Sequence, residues 1–476
     1  MIQAGLVPAF SWPLGVTKHH WRYVLISTAA VVFSAAAGLD APLRNLINFA
    51  KAGTSFSAKQ LCSGVLMAGM DPDQMLREDL AAGRGLIKTT IDPRAGRVEA
   101  SALFGLIRAE AVQNGALGCS QQFNGQPMPE FPSQSATVIR DAGPAVEPWP
   151  LVATASPAPP EINRTRLNQA LDNAFRETDP RTPKRTRAVV VVQDGWVIAE
   201  RYARGIQPEM PLIGWSMSKS ITHALIGVAI QEGLLDHQRP PTVPEWNDRE
   251  DPRGEISLDQ LLRMNSGLDF KEETGAINSD LVRMLTQEAD MARFAANKQL
   301  KRKPGKKWRY SSGTTNILSR ILRHAINDDQ RYLKFPSEKL FAPLGMTTAV
   351  LESDNSGTLV GSSLVWASAR DWARFGQLYL DDGRWNSKQL LPETWVSHAR
   401  TASRGSKGGY GAHWWLSRRK SRRDLPQDSF SAEGYQGQLL LIAPSQRAVI
   451  VRLGQTPKKS GFDANRFGAD VLAALH

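Results

Sequence analysis

Ser216 lies three residues before Lys219 in Gly214-Trp215-Ser216-Met217-Ser218-Lys219-Ser220, at the head of the apolar run Ile221 to Leu235. Positions three apart on a helix share a face, with about 5–6 Å between Cβ atoms, so the lysine amine can reach the serine hydroxyl. The Ser216 N–H would be one of the free donors of the first helical turn. A nucleophile, a base and a donor for a developing oxyanion then fit within one turn, which suits acyl transfer. A second copy of the spacing, Ser417-Arg418-Arg419-Lys420, sits in the basic run Arg418–Arg423 and reads as a solvated loop. The first copy is set apart by the apolar helix behind it, closed by Gly233.

Two later stretches carry residues of the same chemistry. Tyr310-Ser311-Ser312 follows the turn-rich Pro304-Gly305-Lys306-Lys307-Trp308. A phenol there, beside cationic groups, would have a lowered pKa and could trade protons with a serine or a leaving group. The plainer reading is a half-buried tyrosine bonded to backbone. Gly434-Tyr435-Gln436-Gly437-Gln438 leads into the apolar Leu439–Ile442. A strand edge there could offer a backbone N–H as a second oxyanion donor, whose loss costs roughly 2.7–4 kcal/mol in the chemical step. Gly437 would admit substrate close to the backbone, although a plain hairpin glycine has the same signature. Gly214 to Ser218 also comes near the Gly-x-Ser-x-Gly elbow, with His413 as a triad partner. Pro208 and Pro211 interrupt the buried strand which that elbow requires, and Lys219 would go unexplained.

The elements that must position these residues follow from pattern. Asp194-Gly195 between the β-rich Arg187–Gln193 and Trp196–Tyr202 marks a tight hairpin. Helical patterns fill the middle at Ile256–Met264, Leu281–Ala295 and Thr315–Ala325. Strand character returns at Gly409–Leu416, Gln438–Ile442 and Ala448–Leu453, before a closing helix from Asn465 to Leu475. Strands at both ends bracketing helices imply one antiparallel sheet with a helical insertion at about 234–360, an α/β (α+β) fold.

The chain has 476 residues, 42% hydrophobic and 22% charged, enough for two or three core-forming units. Its net charge is +12, from 58 basic and 46 acidic residues, concentrated in Lys298–Arg309 and Arg418–Arg423. No nucleic-acid fold accompanies these runs, so solvated loops or attraction to anionic surfaces are the expectation. Residues 1–37 lack acids, and Lys18, His19, His20 and Arg22 precede an apolar run ending Ala35-Ala36-Ala37-Gly38. This is the layout of a signal peptide or membrane anchor over 1–38, and the expected location is exported: periplasmic, or held on the inner membrane facing that side. A small accessory unit at 39–124 holds the two cysteines, Cys62 and Cys119, which in an exported protein favour a disulfide. A Pro-rich linker spans 125–160, and the main domain 161–476. Neither metal-ligand spacing nor a phosphate loop is evident, so no cofactor is expected. Oligomeric state is not legible.

In this order and spacing, the motifs at Ser216, Tyr310 and Gly437 resemble those of the penicillin-recognising serine hydrolases. The resemblance is nearest the class C β-lactamase-related esterases and 6-aminohexanoate-dimer hydrolases, and covers about 161–476. Leu261-Leu262-Arg263-Met264-Asn265-Ser266-Gly267-Leu268, Phe341-Ala342-Pro343-Leu344-Gly345-Met346 and the stretch Ala367 to Gly376 support it. It implies a β-lactamase/transpeptidase-like fold. It assigns Ser216 as nucleophile, Lys219 as its partner, Tyr310 as general base and acid, and the N–H groups of Ser216 and Gln438 as the oxyanion hole. Ser312, Tyr435, Gln436 and Gly437 would contact substrate. Ser312 replaces the usual asparagine, and Tyr435 the lysine of Lys-Thr-Gly, which favours a small ester or amide substrate over a β-lactam or a peptidoglycan stem. A catalytically idle binding protein of the cell envelope, or a β-lactamase or DD-peptidase, is the alternative.

Overall fold

Asp194 and Gly195 take φ of 49° and 81°, the left-handed pair that a two-residue hairpin needs, and around them the main sheet is built. The computed structural model describes residues 44–123, 149–151, 155–156, 158–237, 239–273, 276–418, 422–457 and 460–475. The expected signal or anchor at 1–38, most of the linker and Lys420 of the second Ser-x-x-Lys fall outside these. Among the described residues no helix is long and apolar enough to cross a membrane. Ala50–His476 form one compact unit. Of the other unit, Met1–Phe49, only the helical residues 44–49 are described.

In the compact unit, helical residues 50–61 run into a wider turn at Cys62–Met67. Four antiparallel strands follow, β1 (Lys88–Asp92), β2 (Arg97–Ala102), β3 (Ile107–Gln113) and β4 (Cys119–Gln122), in sequential order. Cys62 and Cys119 are disulfide-bonded, with Cα atoms 6.0 Å apart, joining the turn to β4. Replacing both by alanine is expected to lower the unfolding free energy by about 2–5 kcal/mol, read as a lower urea midpoint. An unchanged midpoint would mean that other contacts hold β4.

The main sheet comprises β5 (Trp149–Pro150), β6 (Thr186–Gln193), β7 (Trp196–Tyr202), β8 (Trp415–Leu416), β9 (Phe430–Gly434), β10 (Gln438–Ala443) and β11 (Ala448–Gly454). Its order is β8-β9-β10-β11-β6-β7-β5, antiparallel throughout. The expected α/β fold of one antiparallel sheet with flanking helices is thus observed. Strand alternation sends Val189, Val191, Leu441 and Ile450 to a core with helices α1 (Arg164–Phe175) and α5 (Ala464–Leu472). Val190, Val192, Leu440 and Val449 face the larger core, which holds α2 (Ser218–Gln231), α3 (Ser312–Ile326) and α4 (Ala369–Leu380).

Pattern reading placed β6, β7, β10 and β11 to within a residue or two. Three differences stand out. The helix expected over Leu281–Ala295 is two, Asp280–Gln287 and Met291–Ala296, parted at the extended Glu288. The strand expected over Gly409–Leu416 is reduced to β8, Trp415–Leu416. Strand β9 had no counterpart in the sequence reading.

Candidate active site

The short strand Leu212–Ile213 pairs with Val365–Ala367 and delivers the chain to a one-turn 3₁₀ segment, Trp215–Met217, that opens directly into α2. Trp215 is held at φ 48°, a conformation that costs a bulky residue about 1–3 kcal/mol and persists only where its surroundings enforce it. Here Ser218 Oγ donates to the Trp215 carbonyl at 2.6 Å and accepts from the Val365 N–H at 3.0 Å. The sharp turn leaves Ser216 partly accessible while Trp215 and Met217 are buried.

Lys219 is 1% exposed. Its Nζ lies 3.0 Å from Ser216 Oγ, 3.0 Å from Ser312 Oγ and 2.9 Å from the Ser362 carbonyl. Burial penalises the ammonium and lowers its pKa to about 8, against a pull upward from Glu272. An amine at that value is a competent proton acceptor near neutrality. Burial together with the Glu272 charge raises the Tyr310 phenol well above its ordinary range, against a pull downward from Ser216. The ring stacks on Trp415 at 5.4 Å and meets Tyr410 edge-on at 5.8 Å, with Lys219 Nζ 4.9 Å from its centroid. The phenol pKa, expected to fall beside cations, is therefore raised instead.

Ser312 opens α3, whose cap is Ser311. Its N–H and Oγ both donate to the Glu272 carboxylate, at 2.8 and 2.5 Å. Lys219, Ser312 and Glu272 thus form a hydrogen-bonded chain that runs from the buried amine to a part-buried carboxylate. Burial raises the Glu272 pKa, and Lys219 and the Ser312 bonds draw it back. Glu272 was missed because Lys271-Glu272-Glu273 has the composition of a solvated charge run, and nothing local marks the middle residue.

The third motif sits differently from expectation. Tyr435–Gly437 is the turn between β9 and β10. Tyr435 is half exposed and edge-on to Trp215 at 5.9 Å. Gln436 holds φ 62°, and its carbonyl accepts from Thr456 N at 3.0 Å. Gly437 has φ 81°, and a Cβ there would lie 2.7 Å from Arg452 Nη1, so its glycine serves the turn over Arg452 rather than substrate approach. The strand against the turn at Ser216 is β9, for a Cβ on Gly434 would lie 2.1 Å from the Gly214 carbonyl. The Ser417 N–H to Ser429 carbonyl bond and the unbroken register fix which way each peptide faces. Ser431 and Glu433 turn outward, while Gly434 and Gln438 face each other. The Gln438 N–H points into the hairpin, which corrects its assignment to the oxyanion hole. The Gln438 side chain likewise bonds the Gly454 peptide.

His413 is also placed elsewhere. Its ring bonds Thr315 Oγ1 at 2.9 Å and the Leu262 carbonyl at 2.6 Å, and burial lowers its pKa to about 3. Among the described residues, no cluster of side chains suited to a metal ion occurs.

The family profile described as Beta-lactamase matches residues 172–475. A 6-aminohexanoate-dimer hydrolase of Paenarthrobacter ureafaciens is 27% identical over 340 residues, covering 65% of this chain and 83% of that protein. Among solved structures, a family VIII carboxylesterase superposes with a TM-score of 0.51 at 14% identity, covering 69% of this chain and 99% of its own. A penicillin-binding protein homologue of Caulobacter crescentus gives 0.50 at 14% identity, over 65% and 97%. The profile spans well over half of the sequence and takes in Ser216, Lys219 and Tyr310. The chain belongs to the β-lactamase family of serine hydrolases.

Proposed function

We propose that this protein is an exported serine hydrolase that cleaves a small ester or simple amide through an acyl-enzyme on Ser216. The observation that carries the reading is the buried Lys219 amine at 3.0 Å from Ser216 Oγ with its pKa near 8. In the neutral form Lys219 takes the Ser216 proton as Oγ bonds to the substrate carbonyl carbon. The Ser216 N–H stabilises the oxyanion, with the outward edge of β9 on the side from which a second donor would come. Tyr310 then gives its phenolic proton to the departing alcohol or amine, and Lys219 returns a proton to it. Water attacks the ester on Ser216 by the reverse sequence, releasing the acid and restoring the serine. The Cys62–Cys119 bridge supports work outside the reducing cytoplasm. The likeness to a 6-aminohexanoate-dimer hydrolase supports esters and linear amides over β-lactams.

A fluorophosphonate probe should label the protein on Ser216, located by mass spectrometry, and fail to label Ser216→Ala. Folded protein that takes no label would overturn the reading. A panel of p-nitrophenyl esters, a chromogenic cephalosporin and 6-aminohexanoate dimer should be turned over fastest in its ester and linear-amide members.

A further inference from the structure

The basic stretch 301–309, unlike a loop left to solvent, is tied down along its length. Lys301 and Arg302 N–H groups donate to the Gly267 carbonyl at 2.9 and 3.1 Å, Gly305 N to Asn265 at 2.8 Å, and Arg309 N to Met264 at 2.9 Å. Leu300 and Leu268 form an isolated bridge. Gly267 permits the closeness, for with φ 81° a Cβ there would lie 2.1 Å from the Arg302 carbonyl oxygen. Between stretch and floor lies a cleft of about 430 Å³, with Lys301, Arg302, Lys307 and Arg309 around it and Met264 and Leu268 in its lining. Asp269 is shared by Lys301 at 2.9 Å and Arg309 at 3.1 Å. It fixes two of the cations and neutralises one charge. Lys307 makes no ion pair among the described residues.

The cleft is not the catalytic centre. Ser216, Lys219 and Tyr310 are absent from its lining, whereas Ser311 and Arg309, the neighbours of Tyr310, belong to it. Ser311 is extended, at φ −153°, and side chains alternate along extended chain. Tyr310 therefore turns towards Ser216 while Arg309 and Ser311 turn the other way.

We propose that this cleft binds an organic phosphate, with the phosphate on the guanidinium and ammonium groups and its carbon body over Met264 and Leu268. Four cations against one carboxylate favour a group with several charged oxygens over a single carboxylate, and guanidinium forks match phosphate geometry. The volume exceeds what a bare phosphate fills, and the apolar part of the lining suits a glycerol or sugar carrier. A soluble phosphate ester and a phospholipid headgroup share this chemistry.

The test uses the full chain and two probes: glycerol 3-phosphate by titration calorimetry, and sedimentation with phosphatidylglycerol vesicles. At least one should bind saturably and weaken as salt rises. Arg302→Gln/Lys307→Gln should weaken that binding about tenfold or more, since it removes two charge-assisted contacts. The remote pair Arg384→Gln/Lys388→Gln, with the same change in net charge, should not. Ester hydrolysis by Arg302→Gln/Lys307→Gln should match the native protein, and Ser216→Ala should bind as the native protein does, which keeps this test separate from that of the hydrolase reading. Binding of glycerol 3-phosphate assigns the site to soluble esters, and binding of vesicles alone assigns it to headgroups. No binding of either, or equal weakening by both double variants, would overturn the proposal.

Discussion

Lys219→Met is expected to lower kcat/KM for a p-nitrophenyl ester by about 10²–10⁴-fold, the range for losing a positioned general base. In the native protein kcat/KM should rise with pH through about 8, where Lys219 gives up its proton. The sign follows from the role: only the neutral amine can accept the Ser216 proton, so activity is lost as pH falls through that value. Glu272→Gln removes the charge that raises the Lys219 pKa, and should move the rising limb to lower pH. The Lys219 contribution to stability should rise with pH as well. The folded pKa of Lys219 lies below its unfolded value of about 10.5, so housing the ammonium costs stability below pH 8, and that cost fades between the two values. A shift of this size corresponds to a few kcal/mol, roughly 3. Lys219→Met should therefore melt no lower than the native protein at pH 7 while being nearly inactive. Activity within tenfold of native would remove Lys219 from the role of base, and a collapse in Tm would mean that its three hydrogen bonds outweigh the buried charge.

The meeting of Ser216 and Lys219 was legible because helical spacing alone brings residues three apart together. The hairpin at Asp194-Gly195 was legible for the same local reason. What sequence did not show depends on contacts between distant segments. Strand β9 reads Phe430-Ser431-Ala432-Glu433-Gly434, with one large apolar residue and a charge, so no alternation announces it. It exists because β8 and β10 pair with it and the turn at Ser216 packs against it. Without β9 in view, the glycine motif after it was taken for the strand edge at the site, and Gln438 was given a donor role that the pairing with Gly434 rules out. Glu272 was hidden likewise, since its meaning comes from Ser312, forty residues away. The Tyr310 pKa is raised by burial and by the Glu272 charge, which no local pattern reveals.

The accessory segment held no chemistry that sequence could show, yet one buried carboxylate joins it to the catalytic body. Glu352 is fully buried and accepts from Lys59 Nζ at 2.5 Å, Ser63 Oγ at 2.7 Å, the Cys119 N–H at 2.7 Å and Trp366 Nε1 at 2.8 Å. Three of the four donors come from residues 59–119, so the carboxylate holds the disulfide-bearing turn and β4 against the strand Val365–Ala367, which pairs with the one leading to Ser216. Phe56, on the same helix as Lys59, stacks on Trp215 at 6.0 Å. Glu352→Ala strands the Lys59 ammonium, whose pKa burial already lowers. Breaking a buried pair from one side costs about 3–5 kcal/mol, and urea unfolding should show a loss of that order. Lys59→Met/Glu352→Gln removes both charges and should recover part of it, because the amide oxygen can still accept from the Cys119 N–H and Ser63 Oγ. If the double variant is as unstable as the single one, the hydrogen bonds rather than the stranded charge carry the effect. Labelling of Ser216 separates anchorage from stability: native-like rates in folded Glu352→Ala would mean that the turn at Trp215 keeps its shape without this support. A fall in rate that Lys59→Met/Glu352→Gln restores would make the accessory segment part of what positions the nucleophile.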